Sequence, residues 1–281
     1  MAPHDDDEDD GGRAESDDLE AGAEWALPAE ARAVLVASLT SPDAEVRLEA
    51  VEMLAHSLDD ELAALGLAVA RNDPEDEVRA AAASALAPAL AAGEAAAAGG
   101  PPGPLSDAGL AAVRQGLRQL YFDGQASKEV RRRALEAAVQ SPEPWQEGAA
   151  RAALANADPE WRASAIFCML RLPGFVAELI DALRDREPLV RLEAARAVGD
   201  AGLTAAGPRL LTLAQAADEE GLVRMAAMES LGMLGDRQAV GPLRELAATA
   251  DPELAFAARS ALARIAGWDR EREEDEDDEL A

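Results

Sequence analysis

The chain has 281 residues, of which 49% are hydrophobic but only 3% aromatic, and its formal net charge is −29 at pH 7. Because a chain this acidic is repelled by a phosphate backbone, the composition argues against nucleic acid as its partner. Its one cysteine excludes an internal disulfide and fits a reducing compartment, and charged residues recur too often for a membrane span, so we expect a cytoplasmic protein with no membrane segment.

The N-terminal segment, residues 1–27, contains eleven acidic side chains and one arginine. Such a run repels itself and offers little apolar surface to bury, so we expect a disordered acidic tail. It also lacks the basic and apolar stretches of a signal peptide. A solubilising role is the simplest interpretation. The alternatives are that the acidic tails repel nucleic acid or contact a basic partner.

A short phrase then recurs seven times between Leu27 and Trp268. In its full form, a Val-Arg pair is followed by alanine three residues after the arginine and by an apolar residue seven residues after it. Copies about 30 residues apart, with one larger gap, predict a stack of repeated units rather than a globule. The copies begin at Val46-Arg47, Val78-Arg79, Val130-Arg131, Trp161-Arg162, Val190-Arg191, Val223-Arg224 and Leu254-Ala255.

Each copy has the apolar spacing of an amphipathic helix, and acids or prolines stand just before it, as in Asp158-Pro159-Glu160. A second helix is predicted before each of these Val-Arg helices. The chain is therefore expected to be all-α, with fourteen helices in about seven antiparallel pairs that bury a continuous core by stacking. The predicted first helices span approximately 28–40, 59–70, 106–121, 144–155, 173–184, 203–216 and 236–248.

The gap from Arg79 to Arg131, at 52 residues, is larger than the others. The excess falls on residues 91–104, a stretch that cannot continue a helix through Gly99-Gly100-Pro101-Pro102. We predict a loop or flexible joint there, inside a repeat domain that spans residues 28–267. After that domain, residues 268–281 carry nine acidic side chains and two arginines, and a second disordered acidic tail is expected.

The repeated arginine sits at the edge of each apolar stripe. A row of cations at this place would bind phosphates or an acidic partner. In a structural role, each guanidinium would instead donate to the Asp or the carbonyls of the neighbouring inter-helix turn. Acidic residues a few positions before the arginines favour the structural interpretation. The row consists of Arg47, Arg79, Arg131, Arg162, Arg191 and Arg224.

Three stretches carry a family resemblance: Asp158-Pro159-Glu160-Trp161-Arg162, Glu187-Pro188-Leu189-Val190-Arg191 and Leu231-Gly232-Met233-Leu234-Gly235-Asp236. They resemble the HEAT-repeat family, in particular its short bacterial branch, the phycobilisome-lyase-like repeats, over residues 28–267. The resemblance implies a right-handed α-α superhelix, an armadillo/HEAT-like solenoid, whose Val-Arg helices line the concave side. The chain departs from the pattern at Ala255, which replaces the last arginine and fits a terminal capping unit.

The sequence predicts no catalytic, metal or cofactor site. The two histidines, His4 and His56, are not paired at a metal-ligating spacing, and Cys168 has no histidine placed to activate it. Some HEAT-repeat enzymes, the deoxyhypusine hydroxylases, hold two irons with repeated His-Glu pairs, and this chain contains no His-Glu step. We therefore expect a protein that is not an enzyme.

The positions one, two, five and nine residues after the repeated arginine point away from the core. From the fourth repeat onward several of them are apolar where polar residues are expected, and a contiguous apolar patch marks a binding surface. The alternative is imperfect phasing, with these side chains tucked under neighbouring helices. The candidate partner-binding groove consists of the apolar residues Phe167, Leu192, Met225 and Phe256 and the rim residues Arg196 and Glu229.

The function predicted from the sequence is a non-enzymatic scaffold or adaptor that binds a protein partner through its C-terminal concave surface. The alternative, implied by the resemblance, is an enzyme-associated role as a bilin-lyase-like protein or a chaperone that holds another protein's cofactor site. A second surface, the basic cluster of Lys128 and Arg131–Arg133 beside Tyr121 and Phe122, is either a solvated face or a site for an acidic partner.

Overall fold

The computed structural model describes residues 27–249 and 251–279, with side chains in the second stretch as far as Trp268. In these residues the chain forms fifteen α-helices, two 3₁₀-helices and no β-strand. Apart from Leu27, the predicted N-terminal tail lies outside the described residues. In chain order, α1 to α15 are Ala29–Ser38, Ala44–Leu54, Asp60–Asn72, Asp76–Ala85, Ala87–Ala97, Asp107–Phe122, Lys128–Ala138, Pro144–Leu154, Pro159–Arg171, Val176–Ala182, Pro188–Asp200, Gly207–Gln215, Gly221–Met233, Val240–Leu246 and Pro252–Glu279.

The all-α prediction and the seven helix pairs are confirmed. Each copy of the Val-Arg phrase lies on one helix, and each predicted first helix is present within a few residues of its expected bounds. The additional helix, α5, lies between the second and third pairs. The Val-Arg helices are α2, α4, α7, α9, α11, α13 and α15.

The chain divides into two compact units, residues 1–143, with α1 to α7, and residues 144–281, with α8 to α15. In the first unit, the Val-Arg helices α2, α4 and α7 pack side by side, and in the second unit α9, α11, α13 and α15 do so. Fully buried alanines and leucines dominate both cores. Small alanine side chains, and leucine side chains that are not branched at Cβ, allow helices to pack closely.

Helix starts follow from local chemistry. The side chains of Asp43 and Asp158 each accept a hydrogen bond from the backbone N–H two residues later, both at 3.0 Å, and so satisfy a donor that the helix leaves unpaired. Pro159 and Pro188 occupy the first helical positions of α9 and α11, where the missing N–H is not needed.

Two glycines bring α11, α13 and α15 close together. A Cβ at Gly199 would lie 2.8 Å from the Cβ of Ser230, and a Cβ at Gly232 would lie 2.9 Å from the Cα of Ala261. The Ser230 hydroxyl crosses the same contact and donates to the carbonyl oxygen of Ala195 at 2.7 Å. No larger residue fits at either glycine without moving a backbone.

The loop predicted at residues 91–104 is shorter than expected, because α5 continues through Ala97. Alanine is the strongest helix former, and the chain turns only where Gly99 takes a φ of +92°. Glu94 ties α5 to the first unit by accepting hydrogen bonds from Arg114 Nη2, at 2.9 Å, and from Ser141 Oγ. The non-helical segment is residues 98–106.

The expectation that charges recur every few residues fails between Arg79 and Glu94, where the sequence has none. Among the described residues, Asp76–Ala97, which comprises α4 and α5, is the one stretch long and apolar enough to cross a membrane. Of its most apolar window, 44% is buried inside the fold. Core helices of soluble proteins have the same composition and length.

Helix α15 extends to Glu279, through most of the predicted disordered tail at 268–281. Its last buried residue among the described side chains is Ile265. Once packing upstream has nucleated a helix, each further residue adds a hydrogen bond at small cost, and glutamate and arginine are good helix formers. The backbone is therefore helical beyond Trp268, the last residue whose side chain is described.

Candidate functional site

The repeated arginine links consecutive helix pairs. Arg191, on α11, donates from Nε and Nη2 to the two carboxylate oxygens of Glu219, at 2.7 and 2.6 Å. Glu219 lies in the turn before the next Val-Arg helix, α13. Through Nη1, Arg191 also donates to the main-chain carbonyl of Asp185 in the turn before its own helix, at 2.7 Å. One guanidinium thus joins two turns through charge-assisted hydrogen bonds.

Arg162 and Arg47 have the same geometry. Arg162 makes two hydrogen bonds of 2.8 Å to the carboxylate of Asp185, and Arg47 makes bonds of 2.7 and 2.9 Å to that of Asp73. Asp185 therefore accepts from Arg162 through its side chain and from Arg191 through its main chain. These bonds form a continuous ladder from α9 to α13.

The carboxylates that pair with these three arginines have lowered pKa values. Burial alone would raise the pKa of Asp73, Asp185 and Glu219. Hydrogen bonds from the paired arginine and from a backbone N–H, with the attraction of the arginine charge, outweigh burial and lower the pKa overall. The three groups are therefore ionised at neutral pH, and their charges are neutralised inside the fold.

The other three arginines of the row donate to main-chain carbonyl oxygens. In each case the guanidinium donates to a carbonyl oxygen at the end of a preceding helix or in a turn. That N–H group is therefore used within the chain and is not available to a ligand. Arg79 donates to Asp73, Arg131 to Tyr121 at 2.9 Å and Arg224 to Ala214 at 3.1 Å.

Two arginines of the basic cluster near the start of α7 are paired with acids on the same helix. Arg132 and Arg133 both bond to Glu129, at 2.9 and 2.8 Å, and Arg133 also bonds to Glu136 at 2.9 Å. Beside it, Phe122 is 59% exposed. Arg132 and Arg133 are therefore held in ion pairs, and Arg131 donates to a main-chain carbonyl oxygen.

A different surface exposes apolar side chains on one side of α11, α13 and α15, which we term the C-terminal face. On it, Phe256 is 68% exposed and Leu222 is 59% exposed. Leu189 is also exposed, and Leu192 and Met225 are partly exposed. All five lie two places before or one place after the position of the repeated arginine, near the start of each helix. We call this group the apolar end of the face.

Towards the end of the same three helices the face is charged. Arg196 pairs with Glu193 at 3.2 Å and Arg264 with Glu229 at 3.5 Å, in exposed positions where ion pairs stabilise little. Asp200 is exposed and has no ion-pair partner among the described side chains. A pocket of about 380 Å³, which we call the charged pocket, lies here and is lined by residues of all three helices. It is lined by Arg196, Asp200, Glu229, Ser230, Met233 and Arg264.

Met233 also lines a neighbouring pocket of about 370 Å³, the Trp268 pocket. Trp268, on α15, is 46% exposed and forms one wall. The turn after α13 also lines the pocket; there Gly235 has a φ of +61°, and a Cβ added to it would lie 3.1 Å from Cγ of Trp268. The C-terminal face therefore has apolar groups at both ends and charged groups between them.

Most of the groove residues predicted from the sequence lie on this face. Phe167, on α9, is partly buried beneath Arg171, whose guanidinium carbon is 3.9 Å from the ring centroid. Two residues predicted at the rim, Arg196 and Glu229, line the charged pocket together. Those placed at the apolar end are Leu192, Met225 and Phe256.

Four residues of the face were not among the predicted groove residues, although place nine was predicted to face away from the core. Leu189 and Leu222 lie two places before it, and Asp200 and Met233 lie nine places after it. At 100° per residue, these places fall within the same arc as places one and five, so helical periodicity contains the signal. Trp268 was assigned to the tail because acidic residues follow it directly.

No group of three or more His, Cys, Asp or Glu side chains in the described residues is placed to hold a metal ion. Cys168 is buried. Residues 176–263 match the family model for HEAT repeats. No curated protein sequence matches the chain.

Solved structures of similar fold include the Escherichia coli protein YibA, with a TM-score of 0.51 and 14% identity over 92% of this chain and 98% of that one. Kap121p bound to Ste12p has a TM-score of 0.54 and 18% identity over 85% of this chain, which spans 27% of Kap121p. Human deoxyhypusine hydroxylase has a TM-score of 0.41 and 17% identity over 90% of this chain and 97% of that one.

At these identities the likenesses concern the fold and not the activity. The described chain has the all-helical fold of the armadillo/HEAT-like solenoid class. Residues 176–263, which include the whole apolar end of the C-terminal face, match HEAT repeats.

Proposed function

We propose that this protein is a non-enzymatic HEAT-repeat scaffold or adaptor that binds a protein partner through its C-terminal face. The observation that carries the proposal is the apolar end. Five apolar side chains occupy equivalent places on three consecutive helices and are exposed or partly exposed, Phe256 most of all at 68%. A contiguous apolar patch of this kind on a folded domain marks an interaction surface.

The arginine row is the other candidate binding surface, but its side chains are used in bonds within the chain. Arg47, Arg162 and Arg191 each bind a carboxylate of the chain itself through two hydrogen bonds. A phosphate or acidic ligand would have to break bonds that hold helix pairs together. The C-terminal face needs no such rearrangement, because its apolar groups are already accessible.

A precedent for the class of partner comes from a protein of similar fold, since Kap121p is bound to Ste12p in one structure. The alternative of a bilin-lyase-like or chaperone role would require cations for a tetrapyrrole's propionates. Arg196 and Arg264, the arginines of the charged pocket, each have a carboxylate beside them, at 3.2 and 3.5 Å. This arrangement favours the adaptor over the tetrapyrrole-binding role.

The test is the double variant Met225→Glu with Phe256→Glu, used as bait for capture from a native lysate. Buried apolar anchors contribute on the order of 2 kcal/mol each to an interface, so we expect loss of the main partner. Both side chains are at least partly exposed, so the far-UV circular dichroism and the unfolding midpoint should stay close to those of the wild type.

The matched control is Val34→Glu with Met53→Glu, which places the same charges on exposed apolar residues of the first unit, 64% and 51% exposed. It should capture the partner as the wild type does. Retained capture by the folded Met225/Phe256 variant would show that the C-terminal face is not the interface. Unfolding of that variant would show that these residues belong to the core.

A further inference from the structure

We propose that the segment seated on the C-terminal face is an amphipathic helix with basic residues on its polar side. This inference rests on the proposed function and adds the chemistry of the partner. Three features of the face support the proposal: its backbone groups are already hydrogen-bonded within helices, its apolar sites have a helical spacing, and its charged residues include more acids than bases.

The face consists of the sides of three helices, so its backbone N–H and C=O groups are already used within those helices. It offers no open sheet edge to which an extended peptide could add hydrogen bonds. An extended segment would therefore gain no backbone-to-backbone pairing on this face, whereas a segment that pairs its own backbone groups leaves none unsatisfied. A helix does so, and its side chains alone can supply the contacts.

The apolar sites are spaced to suit such a helix. Leu222 and Met225 lie near the start of α13, and Met233, beside the Trp268 pocket, lies at its end. Eleven residues of helix separate Leu222 from Met233, a rise of about 16 Å. A partner helix of about twelve residues spans this distance, with one apolar anchor at each end of its inner side.

The charges between these sites favour a basic partner. Four exposed or partly exposed acids, Glu193, Asp200, Glu229 and Glu253, accompany two arginines on or beside the face. Asp200, without an ion-pair partner among the described side chains, is available to a lysine or arginine of the partner. The long-range field has the same sign, since the whole chain carries −29. A second copy of this chain would bring an equal negative charge and is disfavoured.

The experiment uses the full chain and three fluorescein-labelled synthetic peptides of about twelve residues, long enough to span the face. The first is an amphipathic leucine–lysine helix, and the second has glutamate in place of lysine. The third is a scrambled leucine–lysine peptide with no apolar side. Binding is measured by fluorescence anisotropy at physiological salt, and tryptophan emission is recorded with unlabelled peptide.

We expect the leucine–lysine helix to bind at least about tenfold more tightly than the other two. Met225→Glu with Phe256→Glu should weaken it about tenfold or more, and Asp200→Asn should weaken it severalfold. Asp107→Asn, at an exposed acid at the start of α6 in the first unit, is the matched control and should change nothing. The peptide-induced change in tryptophan emission should disappear in Trp268→Phe.

Equal binding of the scrambled peptide would reduce the effect to general charge attraction and overturn the proposal. Preference for the glutamate peptide would overturn the basic partner while leaving the docking face in place. If neither amphipathic peptide binds, a helical occupant is wrong, and the lysate capture decides separately whether the face binds a protein at all.

Discussion

The ion pair between Arg191 and Glu219 offers the sharpest test of the arginine row. Arg191→Ala removes two charge-assisted hydrogen bonds to Glu219 and a third bond to the carbonyl of Asp185. The two side chains are only 16% and 7% exposed, so water cannot freely replace the lost donors. Glu219 keeps the backbone N–H of Glu220, at 2.9 Å.

The expected loss follows from these contacts. Leaving a buried acceptor without its donor costs about 1–3 kcal/mol, and hydrogen bonds to charged groups lie at the upper part of that range. We therefore expect Arg191→Ala to lower the free energy of unfolding by about 1–3 kcal/mol. Arg191→Lys should recover part of the loss, because lysine restores the charge but not the two parallel bonds.

The assay is urea denaturation followed by far-UV circular dichroism, extended to a double-mutant cycle with Glu219→Ala. Because the two side chains touch, the cycle should give a coupling energy of about 0.5–3 kcal/mol. The control is Arg196→Ala on the same helix. Arg196 is 54% exposed and makes one bond of 3.2 Å to Glu193, so its loss should stay within about 0.5 kcal/mol.

The reasoning would be refuted if Arg191→Ala unfolded at the same urea concentration as the wild type. If that variant also lost its partner, the arginine row would be a binding element. The structural assignment made from its hydrogen bonds would then be wrong.

Three further substitutions and one deletion test other contacts of the fold. The pKa of Asp185 is lowered, so its ion pair stabilises the fold above the ordinary aspartate pKa of about 4. This stabilisation is lost as the pH falls below that value and Asp185 becomes protonated. In urea titrations, the stability difference between the wild type and Asp185→Asn should therefore be smaller at pH 3 than at pH 7. Gly232→Ala should destabilise by about 1–3 kcal/mol through its clash with α15. Gly148 lies inside a helix with open space around it, so Gly148→Ala should stabilise the fold by about 0.5–1 kcal/mol. Equal shifts in melting temperature for Gly148→Ala and Gly232→Ala would contradict the close approach of the backbones at Gly232. Deleting residues 269–281 should lower the helical ellipticity but not the melting temperature, because the deletion keeps Trp268 and Ile265, the last buried side chain described; a drop of several degrees would mean that the deleted residues contact the fold.

The helix pairs could be predicted from the sequence because their signals are local. Apolar spacing and the caps at Asp43 and Asp158 act within one or two turns of chain, and the structure has helices at all seven places. Helix α5 was missed for an equally local reason. The helix-breaking effect of Gly99 and the prolines after it was extended back into alanines, which favour helix.

The partners of the arginines could not be assigned in the same way. Glu219 lies 28 residues from Arg191 and Asp73 lies 26 residues from Arg47. Which acid meets which arginine depends on the register in which successive pairs stack, and no single repeat contains that information. The sequence indicated the kind of contact, a guanidinium on a neighbouring turn, and the structure supplies the partners.

Helical periodicity alone also could not predict how exposed each residue of the C-terminal face is. Helical phase places Leu192, Met225 and Phe256 at equivalent angles, yet Phe256 is mostly exposed while the other two are partly covered. Phase gives a direction, whereas exposure depends on the distance to the next helix. The tight contacts at Gly199 and Gly232 set that distance here.

Those two glycines connect the packing with the proposed function. Both lie eight places after the repeated arginine, whereas that place is Ala55, Ala87, Val139, Leu170 or Ala263 in the other repeats. At this place the backbones therefore come close between α11 and α13 and between α13 and α15, the three helices that form the C-terminal face. Close backbone packing, reinforced by the Ser230 bond to Ala195, holds the exposed side chains on a rigid platform. A platform that is ordered before binding loses little conformational entropy when a partner docks, so its apolar contacts translate more fully into affinity. Stability and binding then depend on different sides of the same helices: the arginines and glycines hold the stack, and the residues of the face are left free to contact a partner.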